Sequence, residues 1–366
     1  MGYMDTRQRI KNVFSLVRRD LDAIIVLNEK SQNPSFSYLT GLSKGVFEGA
    51  VAVFEESGDF SLIMSKLDKS SIDISNATVY TADDKNGKKI KDILKETTSN
   101  FKTIGIDGNN ISYSAYRGLR RILVRKRFID VGKEILKSRL IKDTYEINCI
   151  KKACKIADRA LADLPDIIKE GISEREVALE LEYRMRLYGA DEKSFDTIVA
   201  FGKNSAIPHH ITSNRRLKRG DIVLIDMGAR YNGYVSDITR SYVFGSPNDK
   251  QREMFDTVLH AQQIGINKIK EGTKFGEIFE IIHRYIENTK FKGKFIHSAG
   301  HTIGLEVHDG FSIAKGAKER FKNGITFTIE PGVYLKAFGG IRIEDDILIE
   351  DGRARVLTQA LKEIEI

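Results

Sequence analysis

Four carboxylates and one imidazole, Asp226, Asp237, His301, Glu330 and Glu344, lie in short strand-like segments bounded by glycine. A soluble protein normally places apolar side chains there. Two like charges about 4 Å apart at an effective dielectric near 20 repel by roughly 4 kcal/mol. Four of them in one cleft would therefore exceed a domain's usual margin of about 5–15 kcal/mol. Either several are protonated or metal ions neutralise them. His301, between Gly300 and Gly304, has room on both sides and is a usual nitrogen ligand for a divalent transition metal. The set suits a two-metal site of manganese, cobalt, iron or zinc type.

The elements that must position these groups are two hairpins. Residues 222–228 read as a strand, Asn232-Gly233 as a two-residue turn, and 234–244 as the returning strand. With Asn232 and Gly233 at the turn, Tyr231 faces Tyr234, Gly228 faces Asp237 and Asp226 faces Thr239. Side chains repeat with period two, so Asp226 and Asp237 share a face as diagonal neighbours, roughly 7–8 Å apart at the backbone. In residues 325–330 the apolar Ile325, Phe327 and Ile329 share one face and Glu330 leaves it. Pro331-Gly332 ends that strand and a loop follows. Alternation then resumes at Gly339, with Ile341 and Ile343 opposed to Arg342 and Glu344.

The segments Leu224-Ile225-Asp226-Met227-Gly228, Ser236-Asp237-Ile238-Thr239-Arg240, Gly300-His301-Thr302-Ile303-Gly304, Ile329-Glu330-Pro331-Gly332 and Arg342-Ile343-Glu344-Asp345 closely resemble the pita-bread metallopeptidases. The segments Asn204 to His209 and Leu305 to Asp309 are similar to the proline-specific branch, the prolidases and Xaa-Pro aminopeptidases. Phe36 to Leu42 and Phe47 to Ala50 resemble that branch's N-terminal domain. The resemblance implies an α+β protein with a pita-bread catalytic domain over 131–366 and a smaller α/β domain over 1–130. It implies two divalent ions per subunit (manganese, cobalt, zinc or iron), with Asp226 on one, His301 and Glu330 on the other, and Asp237 and Glu344 bridging. Paired ions would lower the pKa of a bound water to about 7. Glu330 would be the general base, and His209 and His308 would steady the scissile carbonyl. Arg342 would orient Glu344 or hold a peptide oxygen. The substrate would be a peptide with proline at its second position. An Xaa-Pro dipeptidase leads, ahead of an Xaa-Pro aminopeptidase on longer peptides and of a catalytically silent binding module. A homodimer is implied as well. Thr302 departs from the pattern, standing where glycine is usual and adding bulk after the histidine.

With 366 residues, 41% hydrophobic and 30% charged, the chain can bury a full core and is expected to form two domains. Net charge is +8, but the basic clusters at 117–127 and 215–219 lack interleaved aromatics, so they read as solvated faces and nucleic-acid binding is not expected. Met1 to Arg7 has no apolar signal core and no segment has the length of a membrane span, which points to a cytoplasmic enzyme away from membranes. Cys149 and Cys154 fall on one helix, point different ways and read as reduced core thiols. Helices are expected over 6–20 and 85–97, from Thr144 with Asp143 or Thr144 as cap, from Ser173 and from Asn248. Strands are expected over 23–27 and on either side of Ser57-Gly58-Asp59. His210 reads as a solvated loop residue, and His260, His283 and His297 carry no pattern.

Overall fold

The computed structural model describes residues 5–29, 33–69, 74–82 and 88–366, and its two compact units divide between Arg139 and Leu140. The division falls later than 130/131 because the helix after the last strand of the first unit stays with that unit.

The N-terminal unit opens with α1 (Thr6–Leu16), β1 (Ala23–Asn28), α2 (Pro34–Thr40), β2 (Ala50–Phe54), β3 (Phe60–Ser65) and β4 (Ala77–Ala82). It continues with α3 (Ile90–Thr97), β5 (Thr103–Ile106), α4 (Tyr113–Ile122), β6 (Arg127–Asp130) and α5 (Gly132–Leu140). One mixed sheet, ordered β4-β3-β2-β1-β5-β6, carries an apolar face of Ile25, Val51, Val53, Ile63 and Ile104 under α3 and α4. Helix α1 stops short of the expected residue 20. Val17 is extended (ψ 121°), and Arg18-Arg19-Asp20 cannot prolong the buried stripe of Ile10, Val13 and Phe14. The lysine-rich helix starts at Ile90, and residues 85–87 of its expected span lie outside the described residues. Arg117, Arg120, Arg121, Arg125 and Arg127 are all exposed, a solvated face as expected.

The C-terminal unit begins with α6 (Thr144–Ala162), the short α7 (Leu164–Ile167) and α8 (Glu174–Leu187). Asp143 with Glu146, and Ser173 with Glu176, close capping boxes at the starts of α6 and α8. Next come β7 (Glu192–Lys193), β8 (Ile198–Phe201), β9 (Ile222–Met227), β10 (Ala229–Tyr231), β11 (Tyr234–Val235) and β12 (Ile238–Val243). The hairpin keeps the register its turn predicts, with Tyr231 opposite Tyr234 and Asp226 opposite Thr239. It is bent in the middle: β9 and β12 join β8, whereas β10 and β11 join β7. At the bend a Cβ on Gly228 would lie 2.0 Å from the Ser236 carbonyl oxygen, so glycine is required there. Asp237 occupies the same bend.

Helices α9 (Asp249–Lys268) and α10 (Phe275–Glu287) precede β13 (Thr326–Ile329), β14 (Gly332–Leu335), β15 (Gly339–Arg342), β16 (Asp345–Glu350) and β17 (Arg353–Val356). Residues 332–335, expected as loop, are strand β14. Proline at 331 has no N–H and interrupts the ladder, but Val333 continues the buried layer and pairs with Ile341. Strand β13 pairs with β16 and β14 with β15 in one continuous register, broken at Glu330-Pro331 and Ile343-Glu344. Each hairpin thus bends where two carboxylates sit or adjoin. Ile325, Phe327, Ile329, Ile341 and Ile343 are buried with Met254, Val258, Ile278 and Ile282 of the two helices. Each such side chain contributes about 1.5–3 kcal/mol, which fixes both glutamates on the opposite face. Cys149 and Cys154 are buried free thiols on α6. Among the described residues no helix is long and apolar enough to cross a membrane.

Candidate metal centre

Where the two bent hairpins abut, Asp226, Asp237, His301, Glu330 and Glu344 line one cavity of about 320 Å³, together with His209, His308 and Arg342. Every residue singled out from the sequence as a ligand, base or substrate contact is therefore at this one place. Ligand atoms of Asp237, His301 and Glu344 lie within 4.8 Å of one another. His301 Nε2 is 3.5 Å from both Asp237 Oδ2 and Glu330 Oε1. That is longer than an ordinary hydrogen bond. Such a spacing suits donors that would hold a divalent ion between them. Asp226 Oδ1 and His301 Nδ1 are buried with no hydrogen-bond partner among the described residues. A hard and borderline donor set with an unsatisfied carboxylate oxygen fits divalent cations.

Local pairing aims these groups. The Thr328 amide donates to the His301 carbonyl at 2.8 Å and the Glu330 amide to that of Ala299 at 2.9 Å, which lays His301 beside Glu330. The Asp237 amide donates to Asp346 Oδ2 at 2.9 Å, and Thr239 Oγ1 donates to Glu344 Oε2 at 2.6 Å. Arg342 Nη2 donates to Asp226 Oδ2 at 2.5 Å, its Nε to Thr239 Oγ1 at 3.0 Å and its Nη1 to the Tyr334 hydroxyl at 3.0 Å. Arg342 sets one positive charge against four carboxylates and pairs directly with Asp226. The His308 ring lies 4.2 Å from that of His301, centre to centre.

Four features differ from the sequence expectation or extend it. Thr302 does not add bulk to the cavity. It follows His301 on an extended segment, so its hydroxyl points the other way, donating to the Asp309 carbonyl at 2.8 Å and accepting from the Phe311 amide at 3.1 Å. His297, which has no sequence pattern, lines the cavity, with Nδ1 2.8 Å from the Ser298 carbonyl and Nε2 2.9 Å from the Tyr334 hydroxyl. Burial, then Arg342, pushes its pKa down to about 4, so it is neutral. Phe195 and Ile198, which stand in no sequence motif, give the cavity an apolar wall together with Val307. His210 is not solvated, since its Nε2 lies 2.9 Å from Glu174 Oε2.

Residues 148–351 match metallopeptidase family M24, and residues 9–141 match the creatinase/prolidase N-terminal domain. The chain belongs to metallopeptidase family M24. An Xaa-Pro dipeptidase of Pyrococcus furiosus is 42% identical over 273 residues, covering 75% of this chain and 78% of that protein. The solved structure of an Xaa-Pro dipeptidase from Bacillus anthracis is 32% identical, covers 99% of both chains and superposes with a TM-score of 0.90. That of an X-Pro aminopeptidase from Thermotoga maritima is 31% identical over 97% of this chain and 99% of its own, with a TM-score of 0.89. The M24 chain is thus a metal-dependent hydrolase of α+β architecture with the pita-bread fold.

Without metal, the M24 centre holds protons. Burial, then Asp226, pushes Glu344 up to about 8 despite Arg342 and Thr239. Burial, then Glu344, lifts both Asp237 and Glu330 well above the usual carboxylate range. Burial, then His308, lowers His301 to about 3, so the ring is neutral and ready to ligate. An unfolded glutamate titrates near 4.3. Between that value and about 8 the folded chain binds more protons at Glu344 than the unfolded one, so the metal-free protein loses stability as pH rises through this window. Manganese added to chelated protein at pH 7 is expected to release protons, about one or more per chain. Calorimetry in buffers of different ionisation enthalpy would measure this. Metal binding with no proton release, and a metal-free melting temperature flat from pH 5 to 8, would contradict it.

Proposed function

We propose that this M24 enzyme is an Xaa-Pro dipeptidase, cytoplasmic and homodimeric, that works with two divalent ions per chain. The observation that carries the reading is the convergence of all five donors on one cavity with His209, His308 and Arg342 around them. Asp226 would hold one ion, His301 and Glu330 the other, with Asp237 and Glu344 shared. Manganese, cobalt, zinc and iron all suit a set of four carboxylates and one imidazole. Bound divalent cations supply Lewis acidity, which makes a water acidic enough to attack a peptide carbonyl at neutral pH.

The rest falls to the chain's own groups. Glu330 Oε1 takes the proton of the attacking water and returns it to the departing nitrogen. A proline nitrogen in a peptide bond has no N–H and must gain a proton as it leaves, so a carboxylate that carries protons is needed close by. His209 and His308 donate to the carbonyl oxygen as negative charge develops there. Arg342 holds Asp226 in place. Phe195, Ile198 and Val307 exclude water and accept an apolar ring by shape.

An Xaa-Pro aminopeptidase is the second reading, favoured by the likeness to the Thermotoga maritima enzyme. Hydrolysis of Ala-Pro and of Ala-Pro-Ala-Ala, with manganese or cobalt restored to chelated enzyme, separates them. A dipeptidase is expected to cleave Ala-Pro at least about tenfold faster in kcat/KM. Preference for the tetrapeptide would reverse the assignment, and undiminished cleavage after exhaustive chelation would remove both readings.

A further inference from the structure

Glu174 opens α8 outside the cavity, yet it is fully buried, at 0% exposure. A bare carboxylate there would be costly, and five donors meet it. Oε1 accepts from the Phe201 amide and Asn204 Nδ2, both at 2.8 Å. Oε2 accepts from the Ser213 amide at 2.9 Å and Ser213 Oγ at 2.5 Å, and faces His210 Nε2 at 2.9 Å. Burial pulls its pKa up, but Ser213, Phe201, His210 and Asn204 together pull it below the usual carboxylate range, so it stays ionised.

All five donors belong to residues 201–213, and the middle of that segment, Pro208 and His209, lines the cavity. The carboxylate ties the start of the segment to its end. A second tether lies within it, where the Gly340 amide donates to Ser205 Oγ at 2.8 Å. His209 and His210 are adjacent and chemically alike. The His209 ring lines the cavity, whereas the His210 ring meets Glu174 instead.

We propose that Glu174 and His210 are positioning residues for His209, the first gathering segment 201–213 and the second holding its own ring away so that the His209 ring is presented to substrate. The proposal rests on the role given to His209 above. Neither residue touches a metal donor or the reacting atoms, so the effect must appear in turnover and not in metal content.

The test is a double-mutant cycle on the manganese-loaded enzyme with Ala-Pro, measuring kcat, KM, metal content and melting temperature for H209A, H210A and the double variant. H210A is expected to lose about tenfold in kcat with KM and metal content near wild type. Added to H209A it is expected to cost nothing more, because its effect passes through His209. H210Q, whose amide can still donate to Glu174, is expected to recover most of the loss, and E174Q to lose a factor similar to that of H210A. Losses that multiply in the double variant, or wild-type kcat in H210A, overturn the positioning role while leaving that of His209 intact. Wild-type kcat in H209A overturns both. If E174Q does not fold, the two-histidine cycle decides alone.

Discussion

Asp237→Asn is expected to lower kcat/KM by about a thousandfold and at the same time to make the metal-free protein more resistant to unfolding. The two effects have one cause. Asp237 is 4% exposed, and burial followed by Glu344 and Asp226 raises its pKa well above the usual range, so near neutral pH the empty centre works against the fold. Asparagine keeps the shape but has neither a charge to bury nor a proton to take up, which removes that cost of folding. It also removes the anionic oxygen 3.5 Å from His301 Nε2, where a shared ion would sit. A thousandfold loss equals about 4 kcal/mol of transition-state stabilisation, in keeping with the several kcal/mol that a catalytic ion supplies. Steady-state kinetics and metal content check the first effect, and melting of chelated protein at pH 8 checks the second. A variant with wild-type turnover and metal content would show that Asp237 is no ligand. One that is inactive because it unfolds earlier would show that the carboxylate supports the fold.

The opposition of signs also explains how much of this centre was legible in the sequence. Carboxylates in strands stand out because they break the apolar pattern, and the Asn232-Gly233 turn fixes a register that carries Asp226 and Asp237 to one face. Glu330 and Glu344 were readable for the same reason, as the residues that leave the isoleucine layer. The pairing of β13 with β16 was not, because Pro331-Gly332 looks like a terminus although the register runs straight through it. Helix α10 hides its start, since Lys274 at its N-cap makes no side-chain capping bond. His297 and Tyr334 meet across 37 residues and His210 and Glu174 across 36. No local periodicity encodes such contacts, and only the folded sheets create them. The direction of Thr302 was available in principle, because a residue next to a cavity-facing histidine on an extended segment faces away.

Arg342→Met is expected to destabilise the metal-free protein by about 3–5 kcal/mol, the usual cost of removing one partner from a buried charge pair. Arg342 is 3% exposed, and its guanidinium reaches Asp226, Thr239 and Tyr334 at once. Methionine fills much of the volume but leaves the Asp226 carboxylate with no counter-charge and Tyr334 with no donor from β15. Arg342 also holds the pKa of Glu344 down against burial and Asp226. Its loss raises that group further, so more protons should leave when manganese binds at pH 7 than in the unsubstituted chain. Lysine carries the charge as a point and cannot reproduce the fork, so Arg342→Lys should recover only part of the loss. Metal should recover more. Cations at Asp226 replace the missing positive charge, and a ligand that binds only the folded chain stabilises it by about 4 kcal/mol at a thousand times its dissociation constant. Urea unfolding of both variants, with and without manganese, measures these differences. If Arg342→Met lost less than about 1 kcal/mol without metal, as an exposed pair would, or if manganese stabilised it no more than the unsubstituted chain, Arg342 would not be the counter-ion that holds the empty centre together.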